Sequence, residues 1–233
     1  MLIYLATKHF SSPNYEKTAL LAGATGLIGS ALLPLLLASD RYAKVIVVGR
    51  RPVSTQHPKL TQVVTDFDQL EAESLRLAAD DVYCCLGTTI RQAGLRAAFY
   101  RVDFLYVAQL ATLTAASFAA QFLVVSALGA DVNSRFYYNR VKGETEEAVR
   151  QTALSGHPYL PAFAAARRAP YPPPASERLS GAVLKLAGPL LRGSLAKYRP
   201  VLATTVAQAC CAPPKTMAAA CASTVPKPSK SVC

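Results

Sequence analysis

Short apolar segments alternate with amphipathic, helix-like segments between residues 18 and 160. The apolar segments are nearly continuous in hydrophobicity and each is followed closely by Gly, Ser or Asp, which is typical of strands buried on both faces. Such an alternation predicts an α/β protein with a doubly wound parallel sheet covered by helices on both faces. The predicted strands are Ala19–Ala22, Lys44–Val48, Thr61–Val64, Val82–Leu86 and Phe122–Val125, and the predicted helices are Gly26–Ser39, Asp68–Ala79, Val102–Ala116 and Ser134–Gln151.

The chain changes character after Leu160. Residues 161–233 contain 11 of the 16 prolines, and from Cys210 onward no periodicity is visible. We therefore divide the chain into an N-terminal arm (1–17), an α/β domain (18–160) and a reduced C-terminal segment (161–209). The remaining tail (210–233) is interpreted as either disordered or translated out of frame.

The positive charge is concentrated in the same C-terminal part. The chain has a net charge of +11, yet residues 1–160 carry 15 Lys/Arg against 13 Asp/Glu, whereas residues 161–233 carry 10 against one. The α/β part is almost neutral and lacks the basic surface that nucleic-acid binding needs. No apolar run reaches the ~18 residues of a spanning helix, and no CxxC pair is present for zinc. We expect a cytoplasmic protein that binds neither nucleic acid, membrane nor metal.

The segment LLAGATGLIGS places three glycines between the first strand and the first helix. Gly23 allows a tight turn, Gly26 lets the backbone approach a ligand, and Gly29 lets the helix pack closely on the strand. The N–H groups at the helix start then favour the phosphates of a dinucleotide, although an ordinary strand–helix turn is the alternative. The residues expected to bind the cofactor here are Gly23, Thr25, Gly26, Leu27, Ile28 and Gly29.

Two arginines follow the second strand, at the position where an acidic residue binds the ribose 2′-hydroxyl of NAD. Arg50 and Arg51 occupy it instead, and arginine suits a 2′-phosphate. We therefore predict NADP(H) as the preferred cofactor and NAD(H) as the alternative, unless both residues are ordinary surface arginines.

Two further strand ends should face the same edge of the sheet. Asp66 and Phe67 follow the third strand and either meet the adenine or, through Asp66 or Asp68, cap the next helix. The residues Leu86, Gly87 and Thr88 follow the fourth strand, where the cofactor of a doubly wound sheet is expected to lie.

A candidate catalytic group lies further along the chain. Tyr138 and Lys142 are four residues apart and share one helix face, and Ser126 ends the fifth strand twelve residues earlier. A nearby ammonium should lower the pKa of the tyrosine, which then exchanges a proton with a substrate oxygen. Lys142 would also hold the nicotinamide ribose, and Ser126 would hydrogen-bond the substrate oxygen. The alternative is an amphipathic helix with a packed tyrosine and a solvated lysine.

The motifs GATGLIG, CCLGTT, RVDF, VVSALGAD and FYYNRVKGE together resemble the atypical short-chain dehydrogenase/reductases related to the Tat-interacting oxidoreductase-like proteins. The resemblance covers roughly residues 18–160. It implies a Rossmann-type fold, NADPH binding, and Ser126, Tyr138 and Lys142 as catalytic residues. It implies no settled substrate, and some relatives act as regulators whose binding state is sensed by partners.

The resemblance is lost at residues 161–175, returns around Leu179–Ala209 and vanishes again at Cys210. We hypothesise that the divergent segments are translated out of frame. A one-base shift in GC-rich codons for Cys210–Ala218 would read Leu-Leu-Arg-Ala-Ala-Gln-Asp-Asp-Gly, an ordinary amphipathic helix end. A natural Pro-rich tail is the alternative, and resequencing the gene decides between them.

Three functions agree with these features. The first is an NADP(H)-dependent oxidoreductase acting on a small carbonyl or alcohol. The second is an NADP(H)-sensing regulator with little or no turnover. The third is a sugar-nucleotide epimerase or dehydratase, ranked last because only 91 residues follow Lys142. A homodimer formed through the long helices agrees with all three.

Overall fold

Six parallel strands form the sheet in the structure, a computed structural model that describes residues 16–127, 129–152, 160–161 and 203–211. The strands are β1 (Lys17–Ala22), β2 (Tyr42–Gly49), β3 (Leu60–Val64), β4 (Asp81–Cys84), β5 (Gln121–Ser126) and β6 (Leu160–Pro161). Their order is β3-β2-β1-β4-β5-β6, and every pairing is parallel. The order reverses between β1 and β4, which opens a crevice at their C-terminal ends. The predicted doubly wound α/β fold is confirmed.

The connections between these strands are mostly helical. The helices are α1 (Leu27–Ala38), a 3-10 helix (Phe67–Leu77), α2 (Ile90–Ala93), α3 (Arg96–Tyr100), a π turn (Arg101–Leu105), α4 (Tyr106–Ala116), α5 (Tyr137–Gln151) and α6 (Ala203–Cys211). Within the described ranges, no helix is long and apolar enough to cross a membrane.

Some predicted boundaries were wrong. The helix predicted over Asp68–Ala79 is a 3-10 helix over Phe67–Leu77, and Phe67 and Leu70, three residues apart, share its buried face. The single helix predicted over Val102–Ala116 is divided by the π turn, and the segment before it is already helical. Strand β4 stops at Cys84 rather than Leu86, since its neighbour β1 ends at Ala22.

Alternate residues of β1 to β5 face two apolar layers, one on each side of the sheet. The layer beneath α4 and α5 contains Leu20, Ile46, Val82, Leu110, Phe122 and Val149. The layer beneath α1 and α6 contains Leu21, Leu32, Leu36, Val47, Leu123, Val206 and Cys210. Helix α6 thus belongs to the core, although its last two residues, Cys210 and Cys211, fall in the predicted tail.

A buried polar cluster closes the N-terminal edge of the sheet, opposite the crevice. Asp81 is 1% exposed, and it accepts hydrogen bonds from Arg41 and Tyr42, each at 2.7 Å, with Lys17 Nζ 3.6 Å away. The hydroxyl groups of Tyr42 and Tyr83 are also 2.7 Å apart. Burial, assisted by the neighbouring Tyr83 and Asp81, raises the pKa of Tyr42, so its hydroxyl stays protonated and donates to Asp81.

Candidate functional site

The turn after β1 requires glycine at two positions. Gly23 has φ +83°, and a Cβ there would lie 2.5 Å from the carbonyl oxygen of Cys85. A Cβ on Gly29 would lie 2.2 Å from the carbonyl oxygen of Gly23. Neither neighbour is a flexible side chain, so a larger residue at either position displaces the backbone. Helix α1 therefore starts in direct contact with the ends of β1 and β4.

The N-terminus of α1 fits the phosphates of a dinucleotide. No side chain caps this helix, and its first turn carries no acidic residue. The amide of Gly26 is already bonded to the carbonyl of Gly23 at 2.9 Å, which leaves the amides of Leu27, Ile28 and Gly29 as donors of the first turn. Exposed Thr25 lies beside them. Such a terminus carries partial positive charge and binds anions.

Arg50 and Arg51 are exposed immediately after β2, and neither forms an ion pair with any residue that the structure describes. A cavity of about 720 Å³ opens nearby, between α1 and the segment Pro52–His57, with Thr25 in its wall. The cavity therefore leads from the glycine turn towards the segment that follows the two arginines. An adenosine ribose is expected in this region when a dinucleotide binds a doubly wound sheet.

Asp66 and Phe67 both contact other residues of the protein. The carboxylate of Asp66 accepts a hydrogen bond from the amide of Asp68 at 3.1 Å and so caps the 3-10 helix. Phe67 is 4% exposed, and its ring stacks on that of Tyr106 with centroids 5.3 Å apart. The capping interpretation of Asp66 thus corresponds to an observed contact, whereas the adenine contact stays a prediction.

A buried ion pair lies against the segment that follows β4. Lys142 Nζ is 2.7 Å from Asp103 Oδ1, and the two side chains are 6% and 0% exposed. The second carboxylate oxygen of Asp103 accepts the amide of Thr88 at 2.8 Å. A Cβ on Gly87 would lie 3.4 Å from Asp103 Oδ1 and 3.7 Å from Lys142 Nζ. Of the predicted site residues, Gly87, Thr88 and Lys142 therefore meet at one point, while Leu86 packs on the core.

The π turn brings Asp103 to this point. Its carbonyl oxygen accepts a hydrogen bond from the hydroxyl of Thr145 on α5 at 2.8 Å, and the same hydroxyl is 2.7 Å from the carbonyl of Val141. The turn therefore leaves the Asp103 carbonyl open to a partner on α5. Single π turns inside helices are frequent at functional sites.

Tyr138 lies one turn before Lys142 on α5 and is half-buried. Its ring centroid is 5.6 Å from that of buried Phe99. Burial raises the pKa of Tyr138, Lys142 lowers it, and Asp103 raises it again, with a net increase above the ordinary value. The expected effect of Lys142, a lower pKa of Tyr138, is therefore present, but burial outweighs it and Asp103 compensates the ammonium.

The adjacent Tyr137 has a different environment. Its hydroxyl donates to the carbonyl oxygen of Arg96 at 3.1 Å. Its ring is 5.1 Å from the guanidinium of Arg96 and 5.6 Å from that of Arg140. Its side chain thus contacts the surface of α3 and α5, away from the Lys142–Asp103 pair, as its lack of a lysine four residues later suggested.

Ser126 is tied to α5 rather than to Tyr138. The serine is 4% exposed, and its hydroxyl donates to Glu146 Oε1 at 2.5 Å. Glu146 lies one turn beyond Lys142 and also faces Arg150 at 3.5 Å. No hydrogen bond joins Ser126 to Tyr138 within the residues described. The structure therefore brings Lys142 next to Asp103 and ties Ser126, at the end of β5, to Glu146 one helical turn beyond Lys142.

Two carboxylates of this region, Asp103 and Glu146, were not identified from the sequence. Asp103 interrupts the apolar pattern of its helix, which is a weak sign of a buried partner. Glu146 belongs to the charged face of α5 and gives no such sign. No group of three or more potential metal ligands occurs among the described residues.

A family model described as the NAD dependent epimerase/dehydratase family matches residues 19–140, more than half of the chain. The matched part begins in β1 and ends on the first turn of α5. It therefore contains the glycine turn, Asp103 and Tyr138, and stops two residues before Lys142.

Two named relatives resemble the same part of the chain. Protein HTATIP2 of Rattus norvegicus is 37% identical over 140 residues, which are 58% of this chain and 57% of the relative. The mitochondrial protein FMP52 of Eremothecium gossypii is 32% identical over 128 residues, 55% of this chain and 57% of the relative. The chain thus spans less than two thirds of the length of these relatives. The resemblance to Tat-interacting oxidoreductase-like proteins is confirmed.

The expectation of a cytoplasmic protein is contradicted by these comparisons. FMP52 of Eremothecium gossypii and fmp52 of Emericella nidulans are both named as mitochondrial proteins. The sequence features on which the expectation rested, the lack of a spanning apolar run and of a CxxC pair, do not distinguish these two compartments.

Solved structures of similar fold contain bound NAD. The Bordetella bronchiseptica enzyme WbmG in complex with NAD has a TM-score of 0.57 and 16% identity, over 72% of this chain and 61% of that one. MoeE5 in complex with UDP-glucuronic acid and NAD has a TM-score of 0.56 and 20% identity, over 70% and 60%. At these identities the likeness supports the Rossmann-type fold alone.

The glycine turn, the uncapped start of α1 and the reversed strand order together are those of an NAD(P)-binding, oxidoreductase-like protein. The family model covers this whole arrangement. The chain belongs to the NAD-dependent epimerase/dehydratase family.

Proposed function

We propose that the chain is an NADP(H)-dependent oxidoreductase of the short-chain dehydrogenase/reductase type, acting on a small carbonyl or alcohol. The observation that carries this proposal is the position of Tyr138 and Lys142. Both lie on one face of α5, and Lys142 is next to Gly87 at the edge of the sheet where the glycine turn lies. A nicotinamide dinucleotide bound across this edge supplies or accepts the hydride.

The side chains of α5 would handle the proton and the orientation of the reactants. The Tyr138 hydroxyl donates a proton to the substrate oxygen during reduction and takes it back during oxidation. The Lys142 ammonium donates hydrogen bonds to the ribose next to the nicotinamide. The pKa of Tyr138 is raised, so its hydroxyl keeps its proton at neutral pH and can donate it to a carbonyl oxygen.

Ser126 is the third proposed catalytic residue. A serine hydroxyl has one proton, and in this structure that proton is donated to Glu146. Ser126 can therefore accept a hydrogen bond from a substrate alcohol as it stands, and it can donate to a carbonyl only after leaving Glu146. Glu146 thus controls the direction of the Ser126 hydroxyl.

Replacing Tyr138 with phenylalanine is expected to lower the turnover of a panel of small carbonyl compounds by about a hundredfold or more, because general acid catalysis is lost. Affinity for NADPH should stay nearly unchanged. The matched control is Tyr137→Phe, which removes a hydroxyl that bonds only the Arg96 carbonyl. NADPH oxidation and NADPH fluorescence titration measure the two properties. Equal turnover by Tyr138→Phe and wild type would exclude the proposed role.

Replacing Arg50 and Arg51 together with alanine is expected to weaken NADPH binding about tenfold or more, since charge-assisted contacts to the 2′-phosphate are lost. NADH binding should change little. Arg76→Ala, which removes an exposed arginine paired with Glu73, is the control. A double variant that keeps the wild-type preference for NADPH over NADH would show that the arginines do not contact the 2′-phosphate.

A nucleotide-sugar epimerase or dehydratase is the second candidate. It is favoured by the family description and by the UDP-glucuronic acid named with MoeE5. Adding UDP-sugars to the carbonyl panel tests it directly, since product formation without net NADPH consumption indicates epimerisation. Tight NADPH binding with no turnover of either class would favour a sensing role.

A further inference from the structure

Tyr137, the neighbour of the proposed proton donor, contacts two arginines that the proposed proton transfer does not use. Its ring centroid is 5.1 Å from the guanidinium carbon of Arg96 and 5.6 Å from that of Arg140. The face of an aromatic ring attracts a guanidinium, so this ring holds both cations in place. The Tyr137 hydroxyl donates only to the carbonyl oxygen of Arg96, and the ring that holds the two arginines is retained in Tyr137→Phe.

These arginines lie at the same edge of the sheet as the proposed reaction site. Helix α3 begins at Arg96 after the loop that follows β4, and α5 begins at Tyr137 after β5. Helices that follow parallel strands start at the carboxyl edge of the sheet, which is the edge that carries Gly87. The buried ring of Phe99 contacts both tyrosines, with its centroid 5.9 Å from that of Tyr137 and 5.6 Å from that of Tyr138. The Arg96 side chain therefore lies against the residue next to the proposed proton donor.

The positive charge at the start of α5 is poorly compensated. Arg96 and Arg135 are exposed, and neither forms an ion pair within the part of the chain that the structure describes. Arg140 has one carboxylate nearby, that of Glu144, at the long distance of 3.9 Å. The first turn of α5 carries no acidic side chain. Because like charges held close together repel each other, an anion at this surface is attracted by several of them at once.

Exposed apolar side chains border these arginines. Leu95 precedes Arg96 and is 70% exposed, and Phe136 precedes Tyr137 and is 75% exposed. Apolar surface rimmed by polar groups is typical of ligand-binding sites, and here the polar groups are fixed cations. The surface therefore suits a molecule with an apolar body and an anionic end. We refer to it as the Arg96 surface, formed by Leu95, Arg96, Arg135, Phe136 and Arg140.

We propose that the Arg96 surface binds an anionic group of the substrate, so that the protein acts on carbonyl compounds that carry a carboxylate or a phosphate. This inference rests on the proposed function, because it names the substrate class of that site. With the carbonyl oxygen at Tyr138, the anionic group contacts Arg96, whose planar guanidinium offers two parallel donors to either group. Arg140 adds a second positive charge beside the same tyrosine ring.

The test compares matched substrates that differ in charge. With NADPH as the cofactor, ω-oxo acids of increasing chain length are compared with their methyl esters, and ω-oxoalkyl phosphates with the corresponding alcohols. We expect at least one charged series to exceed its neutral counterpart about tenfold or more in kcat/KM, mainly through a lower KM, because a charge-assisted hydrogen bond stabilises the complex. The series that shows the preference distinguishes carboxylate from phosphate. Equal kcat/KM for charged and neutral members at every chain length overturns the proposal.

Arg96→Ala should remove most of this preference by raising the KM of the charged substrates, while turnover of the neutral substrates falls much less. An equal loss for both classes would be a structural effect and overturns the proposal. Arg96→Lys keeps the charge without the planar fork and should retain part of the preference. The matched control is Arg76→Ala, which removes an exposed arginine that pairs with Glu73 and should keep the wild-type preference. The same loss of preference in this control also overturns the proposal.

A binding measurement separates this proposal from the proposed function. If the wild type reduces none of the carbonyl compounds, the proposed function fails. Ligand-detected NMR titration with ω-hydroxy acids, ω-hydroxyalkyl phosphates and their neutral counterparts then decides for the Arg96 surface. Binding of a charged series about tenfold tighter than its neutral counterpart, lost in Arg96→Ala, supports an anion site at this surface. Equal binding of charged and neutral molecules, or binding that Arg96→Ala leaves unchanged, overturns it.

Discussion

Replacing Gly29 with alanine is expected to abolish NADPH binding and to lower the free energy of unfolding by about 3 kcal/mol, the upper end of the range for overpacking. The added Cβ would lie 2.2 Å from the Gly23 carbonyl oxygen and 2.9 Å from the Ala24 Cα. Both are backbone atoms of the turn that must hold the phosphates, so α1 has to move away from β1. Urea denaturation and NADPH fluorescence titration measure the two effects.

The control for this prediction is Gly49→Ala, at the end of β2. A Cβ there meets only the Arg51 carbonyl oxygen, at an ordinary contact distance of 3.6 Å. Its unfolding free energy should change by less than about 1 kcal/mol, the usual range for a substitution without a clash. Wild-type NADPH affinity in Gly29→Ala would mean that the glycine turn does not hold the phosphates.

Replacing Lys142 with methionine is expected to lower the free energy of unfolding by about 3–5 kcal/mol at neutral pH, because a buried carboxylate loses its partner. Asp103 already has a raised pKa, and Lys142 is the main group that lowers it. The pKa of Asp103 should therefore rise further in this variant. NADPH affinity should fall as well, since the ammonium no longer reaches the ribose.

The direction in which the stability of Lys142→Met changes with pH depends on whether the folded or the unfolded state binds the Asp103 proton more tightly. With its pKa above that of the unfolded chain, Asp103 binds a proton more tightly in the folded variant. The variant therefore loses stability as pH rises from the unfolded pKa of about 4 towards the folded pKa. The free energy of unfolding of Lys142→Met should be closest to that of the wild type at acidic pH and furthest below it near neutral pH. Urea denaturation at several pH values measures this difference.

A double variant separates the charge effect from lost packing. Asp103→Asn combined with Lys142→Met removes both charges, so it should recover part of the stability lost in Lys142→Met and lose the pH dependence. If the loss of unfolding free energy in the double variant equals the sum of the losses in the two single variants, the two side chains are not energetically coupled.

The sheet was predictable from the sequence because strands buried on both faces are nearly continuous apolar runs. Val45–Val48 and Phe122–Val124 could hardly form anything else between helical segments. The glycine turn was predictable for a related reason, since Gly23 and Gly29 are required by close backbone contacts. The shared face of Tyr138 and Lys142 follows directly from helical geometry.

The partners of these residues were not predictable in the same way. Asp103, which pairs with Lys142, lies inside a π turn, and no pattern of apolar residues predicts such a turn. The bond from Ser126 to Glu146 depends on how β5 and α5 pack, and Glu146 looked like one more exposed acid. The burial of Phe67 against Tyr106 likewise depends on contacts between distant segments.

The π turn at Arg101–Leu105 amounts to one extra residue accommodated inside a longer helix. Deleting a single residue there would let α3 and α4 join as a regular helix whose flanking faces keep their directions, because the π turn absorbs the extra residue locally. The residues inside the turn would change position, so Asp103 would no longer be held beside Lys142 and Thr145. In this segment, the length of the chain matters for the site as much as the identity of its residues, so insertions and deletions should be tolerated less well here than substitutions of exposed side chains.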